Sequence, residues 1–507
     1  MSDTTGEKRL FNQRPLLTAA VGFCVGIFAF ELALGIKTPW LKAALAVFAL
    51  VICAAAFVFG LIKRDPLIWL LALFIAAGLI RAAAALPKTV PEGTKLVCGT
   101  VGSVSEKKPG VVTLRSVTVD GEALLCRVQV SLPAECVPEI GDRIEFSSEL
   151  KTPSRRFEGY DERLVLLGDG IGYKASAERY ETLETGRLPV LRALANTRRF
   201  LLTRIEEVFG EGSGVVSGFL LGAKQGVDEA DTESFRATGT AHLLALSGFH
   251  VMLLTSMIFV LIPKRFPKLR FIIGAGFLLF YCGIAAFSPS IVRASIMCGC
   301  MLLSELTERR RDPLSSLSLA ALIILIVSPY KLFSVGFLLS FAATLGIIFV
   351  TSAGFRSNGI LQRAAYSAIA TVGASAATLL ITARHFGAIT LYGVVANVVI
   401  VPVFSLAIAL SFIVLIIGVP FPAAASMLAW GPNAVIKAGL FILRKISELP
   451  YALIEVPRAS ALSVLLSLVL LFAVSGYLLR PPKTRLKLAG AVFLLFTASV
   501  IADIIRV

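Results

Sequence analysis

Long apolar runs dominate this chain, and they are separated by short polar loops and by one long polar segment. Runs of about 18 or more apolar residues are typical of helices that cross a bilayer. The runs lie near residues 15–35, 41–62, 66–86, 241–263, 271–287, 290–306, 313–328, 333–351, 364–383, 389–417, 421–443, 459–479 and 487–504. They predict roughly ten to thirteen spanning helices, with breaks or kinks where Pro402 and Pro432 interrupt the apolar pattern.

The long polar segment, residues 87–187, shows the alternation of apolar and polar positions that is typical of β-strands. Alternating stretches begin near Lys95, Val111, Ala123, Gly141 and Gly170. Asp120-Gly121, between the second and third stretches, is a hairpin signal. Five short strands in a segment of this length predict a small barrel of the OB type.

The predicted fold class is a polytopic α-helical membrane protein with an inserted small β-barrel domain of the OB type. Residues 1–86 form an N-terminal three-helix membrane region, 87–187 the β domain, and 188–507 the main helical bundle. The first apolar run is expected to be a retained helix, since more runs and no clear cleavage site follow it. Residues 188–210 place arginines between apolar positions, which fits an interfacial helix or an ordinary amphipathic connector equally well.

Composition and charge add an orientation to this picture. The chain is 56% hydrophobic with a mean hydropathy of +0.82 and a formal net charge of +16. Residues 87–187 carry 14 Lys and Arg against 16 Asp and Glu, so the rest carries a net +18. Those charges lie in short loops such as Lys63-Arg64 and residues 309–311, which marks these loops as cytoplasmic. We therefore expect a cytoplasmic N-terminus and an extracytoplasmic segment 87–187.

Three of the eight cysteines, Cys98, Cys126 and Cys136, lie in the polar segment. An extracytoplasmic location permits a disulfide bond, and three thiols allow one bridge. Cys98 and Cys126 are the predicted pair, because they lie on strands that could be neighbours in a barrel. Their spacing matches no zinc-binding pattern.

The candidate functional residues are polar side chains inside the apolar runs, where ionisable groups are costly and usually face a cavity or a pathway. They are His242, Ser247, His250, Arg293, Arg384, His385 and Asn397. We expect most of them to converge on one polar cavity. The alternative is that each is satisfied locally, by a backbone carbonyl, by an interhelical hydrogen bond or at the membrane interface.

Catalysis is a weaker interpretation of the same residues. Ser247 and His250 are three positions apart and could activate a nucleophile, but no acidic residue stands nearby to orient the imidazole. The three histidines form no metal-binding pair, and the chain shows neither a dinucleotide fingerprint nor a Walker A loop. We therefore predict no catalytic residues, no metal site and no cofactor.

Several stretches resemble the ComEC-type competence family of DNA-uptake channels. The most specific are GFLLGAKQGV at 218–227 and ESFRATGTAHLLALSGFHV at 233–251. Residues 288–297, 312–347 and 383–403 are also similar, and RRFEGYDERLVLLGDGIGY at 155–173 resembles the close of the family's extracytoplasmic β domain. The resemblance runs in order from about residue 60 to about residue 420.

The resemblance implies a channel in the bacterial cytoplasmic membrane that passes single-stranded DNA inward during natural transformation. It implies contacts with membrane lipids, a cytoplasmic DNA translocase and a periplasmic DNA-binding competence protein, and it leaves a homo-oligomer open. Longer members carry a metallo-β-lactamase-like domain whose His/Asp motif this sequence lacks, so we expect no nuclease activity. A transporter of another substrate, a lipid-handling protein and a membrane hydrolase using Ser247 and His250 remain as alternatives.

Overall fold

The computed structural model describes most of the chain, and most of the described residues are helical. It describes residues 14–35, 58, 66–87, 90, 93–105, 108, 110–133, 137–154, 161–223, 225–308, 312–351, 360–475 and 482–505. Cys136 therefore lies outside the described residues, as does the predicted run at 41–62 apart from Val58.

The helices of the N-terminal region and of the first half of the bundle are α1 (Pro15–Leu34), α2 (Pro66–Ala84), α3 (Glu162–Gly168), α4 (Pro189–Phe209), α5 (Ser213–Leu221), α6 (Glu229–Ala237), α7 (Gly248–Val260), α8 (Pro267–Ile284) and α9 (Pro289–Leu306). The later helices are α10 (Pro313–Val327), α11 (Val335–Thr351), α12 (Ile360–Phe386), α13 (Gly393–Gly418), α14 (Pro422–Leu428), α15 (Trp430–Ser447), α16 (Ala461–Val474) and α17 (Pro482–Ile505). Many begin at a proline, which costs little in the first turn because the N–H that proline lacks has no intrahelical partner there.

The helices support a multi-pass membrane protein. Within the described ranges, six helices are long and apolar enough to cross a bilayer, or seven if the bent pair α14–α15 counts as one span. Four further apolar helices are shorter: α7, α10, α11 and part of α16. The predicted single span at 241–263 is wrong, because helix α7 begins only at Gly248 and a 3-10 turn at Ala241–Leu243 precedes it.

One end of the bundle contacts the polar segment, and we call it the sheet-domain end. Arg163 of α3 pairs with Glu31 in the last turn of α1. The Ser328 hydroxyl, just after α10, donates to the carbonyl of Gly168 at 2.7 Å. The Tyr330 hydroxyl reaches the carbonyl of Ala82 in α2 at 3.3 Å. Helices α1, α2 and α10 therefore all end at the sheet-domain end.

Contacts between neighbouring helices fix the direction of the others. Helix α11 starts directly after the Pro329–Phe333 turn, and α12 packs antiparallel to it through Ala342, Ala377 and Ile381. Helix α12 therefore ends, and α13 begins, at the sheet-domain end. At the opposite end, Arg14, just before α1, pairs with Asp312, just before α10, at 3.0 Å.

Helices α8 and α9 form an antiparallel pair in the same frame. Arg293, in the second turn of α9, donates to Ser340 near the start of α11, so α9 begins near the sheet-domain end. Glu305 near the end of α9 lies 3.7 Å from Arg270 near the start of α8. Helix α8 therefore runs from the opposite end to the sheet-domain end, where it finishes at Ile284.

The polar segment folds as a sheet domain. Its strands are β1 (Thr94–Val104), β2 (Val111–Val119), β3 (Glu122–Leu124), β4 (Arg127–Ser131), β5 (Arg143–Glu149), β6 (Ile171–Ser176) and β7 (Glu181–Glu184). They form one seven-stranded sheet of order β6-β4-β2-β1-β5-β7, with β3 paired to β2. Only the β4–β6 pair is parallel. All five predicted strand positions are therefore confirmed, although the third is split into β3 and β4 at Leu125-Cys126, and β7 is an addition.

The prediction of a closed barrel is wrong. Closure would pair β6 with the free edge of β5, but β7 occupies part of that edge by pairing with Arg143–Glu145. In the described part of the domain, an isolated bridge from Lys151 to Lys174 and a Ser148 hydroxyl bond to Ser176 O, 2.9 Å long, link the two sides. The sheet therefore stays open along this seam.

The disulfide predicted between Cys98 and Cys126 is not formed, and both are free thiols. Cys98 lies on β1, where its sulfur accepts a hydrogen bond from Arg143 Nε at 3.0 Å. Cys126 precedes β4 and lies against Gly172. Strand β2 separates β1 from β4, so the strands are about 10 Å apart. That separation exceeds the roughly 7 Å that a disulfide can bridge between two Cα atoms.

We expect Cys126 to react slowly with alkylating reagents in the folded protein. Burial raises the pKa of the Cys126 thiol to about 11. Because the thiolate is the nucleophile, its alkylation at pH 8 should be about 100-fold slower in the folded than in the unfolded protein. Alkylation without reductant, followed by peptide mass mapping with and without urea, measures this. Equal rates in both conditions, or a Cys126 already oxidised, would contradict it.

Candidate functional site

The centre of the bundle contains a broken helical segment, residues 213–260, in which three short helices replace a continuous span. Helix α5 ends at Gly222 (φ +71°), and α6 is followed by Gly239 (φ +70°), two left-handed positions that glycine adopts without strain. A 3-10 turn then leads into α7. Irregular backbone at membrane depth is tolerated only where it is buried in protein or lines a water-filled cavity.

Two buried threonines satisfy the backbone at the second break. Thr238 and Thr240 are both 0% exposed, and their hydroxyls lie 2.9 Å apart. Thr238 also donates to the carbonyl of Ser234 at 2.8 Å, and the backbone N–H of Thr240 donates to that of Phe235 at 2.9 Å. The break after α6 is therefore a closed hydrogen-bonded turn.

Close backbone contacts hold the segment together. A Cβ atom on Gly214 of α5 would lie 1.7 Å from the carbonyl oxygen of Gly226, so the two backbones touch. Phe404 of α13 packs against Phe219 and Phe235, with ring centroids 5.1 and 5.4 Å apart. Helix α13 therefore supports both α5 and α6 from one face.

Ser247 and His250 form the N-terminal cap of α7. The Ser247 hydroxyl lies 2.8 Å from His250 Nδ1, and the Ser247 backbone N–H donates to the same nitrogen at 3.2 Å. Because Nδ1 accepts from the backbone, the proton of a neutral imidazole is assigned to Nε2. His250 is 0% exposed, and its Nε2 has no hydrogen-bond partner among the described residues.

Arg293 of α9 lies beside this cap. Its Nε donates to Ser340 and its Nη1 to Thr344, both at 2.8 Å, and the residue is 9% exposed. A Cβ atom on Gly248, the first residue of α7, would lie 2.6 Å from Arg293 Nη2. No Asp or Glu within the described ranges pairs with this guanidinium.

A buried cation and a helix N-terminus thus lie next to each other, with no counter-ion among the described residues. The first turn of a helix presents unpaired N–H groups and the positive end of the helix dipole. Helix N-termini and arginine both favour phosphate oxygens. The chemistry of this corner, formed by Gly248, Arg293, Ser340 and Thr344, suits an anionic group.

His242 lies elsewhere on the broken segment, whereas Asn397 lies on α13. Asn397 is four residues after Gly393, which contacts Thr390 and the Thr238 carbonyl, and residues four apart share one helix face. Asn397 Oδ1 is buried and has no partner in the described part of the chain. His242, in the 3-10 turn, is exposed although Thr240 and Leu243 beside it are buried.

Arg384 and His385 lie in the last turn of α12, at the sheet-domain end. Arg384 Nη1 donates to the carbonyl of Ala459 at 3.0 Å. The structure thus brings Ser247, His250 and Arg293 together, while His242 lies in the 3-10 turn of the broken segment and Asn397 lies on α13. Convergence of most of the seven candidates on one cavity stays a prediction.

The sequence did not predict the hydrogen-bonding residues that surround the candidate site residues. Ser340 and Thr344 hold Arg293, and their spacing of four in an apolar run, which places both on one helix face, was the available signal. Thr238 and Thr240 flank a glycine, which is a turn signal. Among the residues whose placement is described, no three His, Cys, Asp or Glu side chains cluster in a way that could hold a metal ion.

Comparison with known proteins gives one family. The model of the family described as "Competence protein" matches residues 219–481, slightly more than half of the chain. The match begins inside α5 and includes nearly all of the broken segment.

Three relatives are similar over parts of their length. The chain is 28% identical to ComE operon protein 3 of Bacillus subtilis over 202 residues, 38% of this chain and 25% of that protein. It is 25% identical to Recombination protein 2 of Haemophilus influenzae over 231 residues, 43% and 28% of the two chains. An uncharacterized protein of Aquifex aeolicus is 30% identical over 159 residues, 31% and 38% of the two chains. The matches thus span well under half of each relative, and no solved structure matches.

Proposed function

This chain belongs to the competence protein family, and from that premise we propose that it takes up DNA during natural transformation. The proposed activity is inward passage of single-stranded DNA through the cytoplasmic membrane, with the chain acting as a channel rather than as an enzyme. The observation that carries the proposal is the corner where Arg293 meets the N-terminus of α7. DNA carries one negative charge per nucleotide, and this corner offers it a cation that has no carboxylate partner within the described ranges.

The broken segment supports passage through the same region. Discontinuous helices in membrane proteins place half-helix N-termini at anionic substrates. Helix α7 is such a half helix, with 13 residues and its N-terminus inside the bundle. We propose that His242, Ser247, His250, Arg293 and Asn397 border the path, with Arg384 and His385 at its sheet-domain end.

The orientation follows from the loop charges. The end of the bundle opposite the sheet domain carries Arg14 and the loop with Lys264, Arg265 and Lys268. Lys and Arg in short loops stay cytoplasmic, so we place this end inside and residues 87–187 outside.

We keep the division into regions 1–86, 87–187 and 188–507, and we propose an OB-type relationship for the open sheet.

The proposed partners follow from the same activity. They are single-stranded DNA, membrane lipids, a cytoplasmic DNA translocase and a periplasmic DNA-binding competence protein, with a second copy of the chain as a further candidate. A hydrolase is not favoured by the Ser247–His250 pair, because the serine caps α7 and His250 Nδ1 accepts the Ser247 backbone N–H. The pair therefore has the geometry of a helix cap.

Deletion of the gene in a competent host tests the proposal. We expect the transformation frequency to fall to the background of spontaneous resistance, while DNA binding to the cell surface is retained. A plasmid copy of the intact chain should restore transformation. A deletion strain that transforms at the parental frequency would contradict the proposed function.

A further inference from the structure

Helix α4 is more polar than the six helices that are apolar enough to cross a bilayer, yet its two halves contact opposite ends of the bundle. Near its start, Arg192 pairs with Glu139 of the sheet domain. Two residues further, the Leu194 side chain lies against Gly283. Arg198 Nη1, in the next turn, donates to the carbonyl of Ile284 at 3.1 Å. This half of α4 is therefore at the sheet-domain end, where α8 finishes.

The last turn of α4 is at the other end. Val208 lies against Gly418, where a Cβ atom would be 3.0 Å from its side chain. Gly418 is the last residue of α13, and α13 begins at the sheet-domain end. The carbonyl of Phe209 accepts from Asn433 Nδ2, in the first turn of α15, at 3.0 Å. With 21 residues, α4 is about 31 Å long, close to the thickness of the hydrocarbon core.

One face of α4 is exposed along its whole length. The exposed positions recur every three or four residues and include Asn196, Arg199, Thr203 and Glu206. The other face packs against α5, α8, α13 and α14, with Ile205 and Val208 buried at 0% and 4% exposure. We call the four exposed polar residues, Asn196, Arg199, Thr203 and Glu206, the polar stripe.

We propose that α4 crosses the bilayer and that its polar stripe forms part of the wall of a water-filled path through the bundle. The helix is expected to be neither the interfacial helix nor the connector that its sequence alone suggested. Arg199 and Asn196 would lie at membrane depth, where contact with lipid is costly and contact with water is not. We assign single-stranded DNA as the occupant of the path, and this assignment rests on the proposed function.

The charges along the polar stripe suit a polyanion that must both bind and be released. Arg199 lies midway along α4, where it attracts phosphates, whereas Glu206 lies at the end that we place in the cytoplasm. The neighbouring Glu207 pairs with Arg204 at 2.6 Å. Conduction requires binding that is favourable enough for entry and weak enough for release. Arg199 at mid-helix, followed by the stripe carboxylate Glu206 at the cytoplasmic end, meets both requirements.

Thiol labelling in intact cells tests the proposal. Single cysteines replace Val190, Asn196, Arg199, Thr203 or Glu207 in a variant whose eight native cysteines are changed to alanine and which still inserts and transforms. We expect a small membrane-impermeant reagent to label positions 196, 199 and 203. It should label position 190 only from outside and position 207 only from inside. Cysteines at Ile205 and Val208 are the matched controls on the packed face and should react at least about tenfold more slowly.

Three results would overturn the proposal. Labelling of positions 190 and 207 from the same side would mean that α4 lies on the membrane surface. Labelling of the stripe by lipid-soluble reagents alone would place it against lipid, and cross-linking of Arg199→Cys between two chains without reagent access would assign the stripe to a second copy. Labelling as expected in a protein whose deletion leaves transformation unchanged would refute DNA uptake and retain the water-filled path.

Discussion

Replacing Arg293 with leucine should abolish DNA uptake while the protein still inserts at its normal level. The guanidinium is buried between α7, α9 and α11 and pairs with no carboxylate among the described residues, so leucine breaks no ion pair seen there. A hydrogen bond to a charged group contributes roughly 1.5–3 kcal/mol, which corresponds to a loss of about 10- to 150-fold per phosphate contact. We expect the transformation frequency to fall by at least this factor.

Conservative changes at the same place separate charge from packing. Arg293→Lys keeps the cation and should retain partial uptake. Ser340→Ala removes one acceptor of the guanidinium and should have a small effect. Membrane levels are compared by immunoblotting. An Arg293→Leu protein that is present at the normal level and transforms at the parental frequency would remove Arg293 from the DNA path.

Replacing Gly214 with alanine should prevent the broken segment from packing. The added Cβ would lie 1.7 Å from the carbonyl oxygen of Gly226 and 2.3 Å from its carbonyl carbon. Both atoms are backbone, so no side-chain rotation relieves the contact. Overpacking of a core typically costs about 1–3 kcal/mol, and direct backbone contact places this change at the upper end of that range or beyond it. We expect a large loss of folded protein in detergent, measured by thermal denaturation and size exclusion.

Gly276 provides the matched control, because it is also a helical glycine but has no heavy atom within 4 Å of its Cβ position. Gly276→Ala should leave stability unchanged or raise it by up to about 1 kcal/mol, since alanine favours helix more than glycine does. Equal melting temperatures for the Gly214 and Gly276 variants would mean that the close contact between Gly214 and Gly226 is not present in the folded protein.

The pattern of apolar and polar residues predicted helices and strands well where one face of the element is buried and the other is not. The alternation beginning at Lys95 and Val111 became β1 and β2, since a half-buried strand needs apolar residues at every second position. Hydropathy did not predict the break before α7, because the run at 241–263 is strongly apolar on average despite His242, Ser247 and His250. The cap that starts α7 uses His250 in the third helical position, where the usual signal is Glu or Gln.

Long-range pairings account for the rest of the differences. Strand β7 takes an edge of β5 that a closed barrel needs, and no local signal shows which strand will pair there. Arg293 was identified as a candidate because a charge in an apolar run is costly, but its partners are 47 and 51 residues away. The polarity of α4 excluded it from the predicted spans, although contacts with α8 and α13 place it along the bundle.

Uptake of DNA by purified protein in lipid vesicles tests the central claim most directly. Vesicles containing the intact chain are given fluorescent single-stranded or duplex oligonucleotides under an inside-positive membrane potential, and external DNA is then digested with nuclease. We predict that single-stranded DNA becomes protected in the lumen, that duplex DNA does not, and that Arg293→Leu removes the protection. Protection of single-stranded DNA no greater than in protein-free vesicles, with the protein inserted, would contradict the account.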